Sequence, residues 1–134
     1  MNTNTLGKIT ELEVMSYVIK KGYSVSIPFG DKDRYDQIWD INGKLYRVQV
    51  KTAHEYTKNN GKAIEFKTTG TSNGRTTSYT KTDIDYFATF WEGVVYVVPV
   101  EETSSKKVLR FESVSNQANI SWAKNYTFEE VFGI

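Results

Sequence analysis

The apolar residues of this chain fall in short blocks whose spacing switches between the period of a helix and that of a strand. Leu6–Lys21 repeats at helical spacing. Ile9, Leu12, Met15, Val18 and Ile19 form one face, Glu13 and Lys20 the opposite one, and Gly22 supplies the stop. Tyr23–Pro28 alternates with period two through Tyr23, Val25 and Ile27, as a short strand does. Beyond a polar turn (Gly30-Asp31-Lys32-Asp33), Asn42-Gly43 separates two runs rich in β-formers, Tyr35–Ile41 and Lys44–Thr52. Asn-Gly suits a two-residue type I′ hairpin, because both central residues need positive φ. Ile41 then faces Lys44, and the same register carried back puts Asp36 opposite Gln49. Lys51 lies two residues beyond Gln49 and shares its face.

Downstream, His54–Gly61 reads as a loop and Ala63–Thr68 as a strand. Thr69–Lys81 is built from Thr, Ser, Gly, Asn and Tyr without apolar periodicity, and reads as a surface loop. Thr82-Asp83 predicts the cap of a short helix through Phe90 that buries Ile84 and Phe87. Val94–Val100 is a continuous apolar strand of the kind expected at the centre of a covered sheet, and Val108–Phe111 a weaker one. Thr127-Phe-Glu-Glu130 matches a capping box and opens a C-terminal helix ending near Gly133. The fold class is therefore α/β (α+β), a mixed central β-sheet flanked by helices. Nothing marks a linker or a repeat, so residues 1–134 form one domain, with a core over about 7–112 and an accessory segment over 113–134.

Composition narrows the chemistry. A chain of 134 residues with 39% hydrophobic and 14% aromatic content can bury one sizeable core. It has no cysteine and a single histidine, His54, which excludes disulfide scaffolds, thiolate metal sites and a histidine-based zinc site. Runs such as Val94–Val98 are too short to span a bilayer and no signal-peptide pattern opens the chain, so a soluble cytoplasmic protein without membrane contact is expected. The net charge of +1 hides an asymmetry. Residues 44–81 carry Lys44, Arg47, Lys51, Lys58, Lys62, Lys67, Arg75 and Lys81 against only Glu55 and Glu65. Such a segment fits a phosphate backbone, and equally a loop kept soluble by its lysines.

Glu11 adds a carboxylate to the hairpin's polar cluster. At 100° per residue its side chain projects between Met15 and Val18, towards the apolar face, where an unpartnered acid is costly. A helix-edge glutamate that snorkels or pairs with a lysine would read the same way. Together Glu11, Asp36, Gln49 and Lys51 offer hard oxygen donors and one ammonium, a set suited to Mg2+, which keeps most of its waters. A cation there would acidify a bound water and offset charge developing on a phosphate. His54 lies three residues past Lys51, but a lone loop histidine is more often solvated than catalytic. No Gly-x-Ser-x-Gly elbow or phosphate-binding glycine loop is present.

These residues resemble the PD-(D/E)XK nuclease superfamily, in which a helix bearing Glu precedes a hairpin bearing Asp and then (D/E)-x-Lys. The matching stretches are Gly7-Lys-Ile-Thr-Glu11, Tyr35-Asp36 and Gln49-Val-Lys51. More narrowly, Gly22-Tyr-Ser-Val-Ser-Ile-Pro-Phe-Gly30, Tyr35-Asp36-Gln-Ile38, Val48-Gln-Val-Lys51 and Ile84-Asp-Tyr-Phe-Ala88 are similar to the homing endonucleases of this superfamily encoded in bacterial group I introns. The likeness covers roughly residues 7–112. Tyr35 stands where the family has Pro, and Gln49 where it usually has a second acid. The intron-encoded branch carries Gln at that place.

The resemblance implies a restriction-endonuclease-like core that hydrolyses double-stranded DNA with Mg2+, for which Mn2+ can substitute. It implies a metal site of Asp36 and the Val50 backbone carbonyl, with Glu11 and Gln49 acting directly or through water. It also implies a homo-oligomer, a tetramer in the intron-encoded branch and a dimer otherwise, since a small chain reads a long, roughly palindromic site by symmetric copies. DNA contacts are expected from the basic segment, with Arg75 reading bases and Lys58, Lys62, Lys67 and Lys81 holding phosphates. Two alternatives stand beside this reading: a structure-selective nuclease such as a Holliday-junction resolvase, and a DNA-binding module whose active site has decayed, as Gln49 would suggest.

Overall fold

The computed structural model describes residues 1–30, 32–56, 61–112 and 119–134. A first helix, α1 (Thr3–Lys20), leads into β1 (Ser24–Ser26), then β2 (Gln37–Ile41) and β3 (Lys44–Val50). β4 (His54–Tyr56), β5 (Ala63–Lys67), β6 (Thr69–Ser72) and β7 (Arg75–Ser78) follow. β8 (Tyr86–Trp91), β9 (Val94–Pro99), β10 (Lys106–Arg110) and α2 (Phe128–Phe132) complete the order.

The central sheet runs β1-β2-β3-β8-β9 and is mixed: β3 and β8 are parallel, and its other neighbours are antiparallel. One face carries Trp39, Val48, Val50, Ala88, Val95 and Val97, packed against Val14 and Val18 of α1 and Phe128 of α2. The opposite core joins Phe87, Tyr96 and Val98 to Ile64, Phe66 and Leu109 of a three-stranded sheet, β10-β5-β4. Helices thus cover one face, and a small second sheet covers the other.

The expected hairpin forms. Asn42 (φ 55°) and Gly43 (φ 88°) both take positive φ, and Ile41 pairs with Lys44. Glu92-Gly93 makes the same turn between β8 and β9 (φ 48° and 84°).

Several expectations from the pattern are corrected. α1 buries Thr10, Val14 and Val18, while Leu12 and Ile19 are 60% and 51% exposed, so the inward face is rotated from the one the leucine and isoleucine spacing suggested. Burial of the β-branched valines, which pack closely against the sheet, decides the orientation. The helix expected from Thr82 through Phe90 is the strand β8. Phe87, Ala88 and Thr89 are buried consecutively there, a requirement of a strand covered on both faces. The apparent cap is a local turn: the Asp83 carboxylate accepts from the Thr80 N–H at 3.0 Å.

Thr69–Lys81 holds not a loop but the two-stranded ribbon β6–β7, turned by Asn73 (φ 52°) and Gly74 (φ 76°). Of the loop expected over His54–Gly61, His54–Tyr56 form β4, and residues 57–60 lie outside the described residues. β9 is an edge strand of the central sheet, buried on both faces. The C-terminal stretch bonds to it through Val97 N–H to Tyr126 O at 2.7 Å. Of the segment expected to be accessory, residues 113–118 lie outside the described residues, and α2 fills the core: Phe128 packs on Trp39 at 5.5 Å and Phe132 on Tyr46 at 5.2 Å between ring centroids. Its N-cap is present, with Thr127 accepting from the Glu130 N–H and Gly133 left-handed.

Candidate active site

β2 begins and β3 ends at the same end of their hairpin, which brings Asp36 close to Gln49, Val50 and Lys51. The paired register stops at Gln37–Val48, so Asp36 is not a ladder partner of Gln49. Instead its N–H donates to Val48 O at 2.8 Å, and its Oδ2 accepts the Val50 N–H at 2.9 Å. The carboxylate takes the place of a backbone acceptor, which fixes its direction. On a strand the carbonyl of a residue points to the same edge as its N–H, so the Val50 carbonyl faces that side too.

Burial pushes the Asp36 carboxyl up to about 6 from 3.8; the Val50 N–H opposes the shift, Glu11 adds to it, and Lys51 and Lys8 oppose it. Glu11 and Lys51 are therefore both within electrostatic reach of Asp36. Glu11 is partly exposed on α1 and pairs with Lys8 at 3.5 Å. Half-buried Gln49 lies in β3 in parallel register with Phe87. The Lys51 ammonium donates to Thr69 O at 2.8 Å and sits 5.4 Å from the Tyr79 ring centre. Desolvation lowers its affinity for a proton, Asp36 works against that, and Lys67 and Arg34 reinforce it.

Among the described residues no group of three or more His, Cys, Asp and Glu is arranged to hold a metal. A cation here would rest on two carboxylates, Asp36 and Glu11, with the Gln49 amide and Val50 carbonyl as neutral oxygens. That set fits a hard cation that retains much of its water. Two neighbouring acids, one of them raised by burial and by the other, are the environment a divalent charge relieves.

Gln37 was missed by the sequence reading. It is 1% exposed, donates to Glu11 O at 2.8 Å and accepts from the Trp39 indole N–H at 2.9 Å. It thereby ties α1 at Glu11 to the strand start beside Asp36. Thr10 adds a second tie, its hydroxyl lying 3.2 Å from that of Thr52 next to Lys51. A polar residue at an inward strand position was the available signal. Gln37→Leu leaves a buried indole N–H unpaired and is expected to cost about 2–3 kcal/mol in urea unfolding.

The expected DNA-binding residues divide. Lys67 is exposed and lines a cleft of about 360 Å³ with Lys51, His54 and Lys106. Arg75 is exposed at the ribbon turn. Lys62 pairs with Glu92 at 3.3 Å and Lys81 with Glu101 at 3.0 Å, so their charges are partly neutralised. Lys58 lies outside the described residues. Arg47 is structural: its guanidinium donates to Thr82 O at 2.6 Å and Lys81 O at 2.8 Å.

A search of curated proteins returned no match. Among solved structures the chain is similar to a bacterial homing endonuclease, I-Ssp6803I, with 23% identity and a TM-score of 0.70 over 95% of this chain and 89% of that one. At that identity the likeness concerns the fold. The family model of PD-(D/E)XK endonucleases matches residues 1–129. Its span takes in the helix of Glu11, the hairpin that aims Asp36 at Val50 and the lysine beyond it, and the chain belongs to the PD-(D/E)XK endonuclease family, which generally uses divalent metal ions.

Proposed function

We propose that this endonuclease is a Mg2+-dependent, site-specific enzyme that cleaves double-stranded DNA, of the intron-homing kind. The placement of Asp36 on the Val50 N–H, of Glu11 tied to the neighbouring Gln37, and of Lys51 bonded to the base of a polar β-ribbon carries this reading. Asp36, Glu11, the Gln49 amide and the Val50 carbonyl would hold the cation, which when bound supplies an acidified water and offsets phosphate charge. Asp36 is held in direction by the Val50 N–H, and Gln37 holds the Glu11 turn against it. Water gives up a proton to solvent as it attacks phosphorus, the opposite P–O bond breaks, and the departing oxygen takes a proton from solvent. Lys51 acts as an ammonium that neutralises charge gained by the non-bridging oxygens, in keeping with its donation to the Thr69 carbonyl.

The ribbon supports sequence reading, since a two-stranded β-ribbon fits the major groove. Thr71 and Thr76 face each other on one side of the ribbon, and Arg75 projects from the other side beside its turn. Symmetric copies of the chain, at least two, would span a long site in the cytoplasm. No helix among the described residues is long and apolar enough to cross a membrane.

The test is cleavage of a plasmid library with and without Mg2+, with a four-way junction as a parallel substrate. One preferred duplex site supports the homing reading. Junction cleavage without sequence preference would favour a resolvase, and no cleavage at all a decayed module. On the selected site, Lys67→Ala should weaken binding of all sequences and flatten the salt dependence by about one unit of slope. Arg75→Ala should relax preference at one position, by about 1–3 kcal/mol. Unchanged salt titrations for both would remove the basic segment from the interface.

A further inference from the structure

Tyr79 belongs to no part of the motif, and it packs half-buried against the second core. Its ring meets Phe87 of the central sheet edge-on, with centroids 5.2 Å apart and planes at 84°. The Arg34 guanidinium lies 3.9 Å above the ring, and the Lys51 ammonium 5.4 Å from its centre. On another side the phenol rests on Gly70 of β6, where an added Cβ would stand 2.7 Å from its hydroxyl and 3.2 Å from the ring. One side chain thus touches the central sheet, the ribbon and the surroundings of the candidate catalytic lysine.

Arg34 closes the arrangement. It donates to Ser78 O at 3.0 Å, to the Thr77 hydroxyl at 3.0 Å and to Asp83 at 2.9 Å, so it grips the outgoing strand of the ribbon two residues before Asp36. The incoming strand is held by Lys51 itself, through Thr69 O. The base of the ribbon is therefore fastened on one strand by the lysine and on the other by Arg34, with Tyr79 filling the space between them and Gly70. A cation over an aromatic face gains about 0.5–2 kcal/mol, more when desolvated, and this ring has two within reach.

We propose that Tyr79 and Arg34 are positioning residues that lock the β6–β7 ribbon and the Lys51 ammonium into one unit, so that seating the ribbon on DNA sets the lysine at the scissile phosphate. The proposal rests on the reading of Lys51 and the ribbon given above. Neither residue touches substrate: they act through Lys51, and their loss shows in turnover more than in affinity.

The test uses the full chain and the duplex site selected from the plasmid library. Tyr79→Phe, which keeps the ring, should cleave within about threefold of wild type. Tyr79→Ala should lose tenfold or more in kcat with KM within about threefold. Gly70→Ala, which displaces the ring without removing it and places no strain on the backbone, should fall between them. Without DNA, amide exchange at Thr69 and Gly70 should accelerate in both Lys51→Met and Tyr79→Ala, and no further in the double variant. Wild-type kcat in Tyr79→Ala, a loss confined to KM, or failure of Tyr79→Phe to preserve activity would overturn the proposal. So would unchanged exchange, which can be read even where cleavage cannot. A wild type that cuts no DNA would instead remove the functional reading on which it rests.

Discussion

Asp36→Asn is expected to abolish cleavage, by a thousandfold or more, while making the cation-free protein more stable. The asparagine can still accept the Val50 N–H, so the hairpin end keeps its shape. What it loses is the charge that burial and Glu11 disfavour. Because Asp36 holds its proton more tightly folded than unfolded, its contribution to stability is fullest below the unfolded value of 3.8 and is lost as pH rises through about 6. The shift corresponds to about 3 kcal/mol. With part of that screened by solvent, the variant should gain about 1–2 kcal/mol at pH 8, or roughly 3–8 °C in Tm. At pH 4 the two proteins should melt within about 2 °C of each other. Mg2+ should raise the Tm of wild type and leave that of the variant nearly unchanged. Equal melting at both pH values would show that burial does not disfavour the Asp36 carboxylate, and a cation-induced shift in the variant as large as that of wild type would remove Asp36 as the seat of the metal.

Substitution of Lys51 separates charge from geometry. Lys51→Met should lower kcat about a thousandfold, equivalent to about 4 kcal/mol of transition-state stabilisation, with DNA affinity within about threefold. Lys51→Arg keeps a permanent cation in a different shape, and should retain about a tenth to a hundredth of wild-type turnover. An arginine variant as inert as the methionine one, together with wild-type turnover that keeps rising with pH towards the lysine's lowered titration, would show that Lys51 has to give up its proton, and that the ammonium role is wrong. Thermal melts are part of the measurement, because the Thr69 carbonyl loses its donor in the methionine variant.

The site was more legible than the scaffold around it. Asn42-Gly43 fixes a two-residue turn, and a two-residue turn fixes which side chains share a face, so Asp36, Gln49 and Lys51 could be grouped before any coordinates. Only the last pair failed, because a carboxylate replaced the backbone acceptor that the ladder would have used. The same dipeptide signal at Asn73-Gly74 was passed over, since its flanking Thr and Ser residues carry no alternation of apolar side chains. A ribbon with little core to face has no reason to show one. Tyr86–Trp91 failed for the opposite reason: a strand buried on both sides erases the period of two, and a turn-forming Asp83 before it imitates a cap. Gln37, Arg34 and Tyr79 act through contacts between segments far apart in the chain, which local pattern does not carry.

Phe128 and Phe132 follow every strand in chain order, yet they lie against Trp39, Tyr46 and Tyr86 at the heart of the molecule. During vectorial synthesis the sheet emerges with a hollow where these two rings belong, and the Glu11 helix has only part of its seat. The seat of the Glu11 helix is thus completed only by residues that come after every strand of the sheet it packs on.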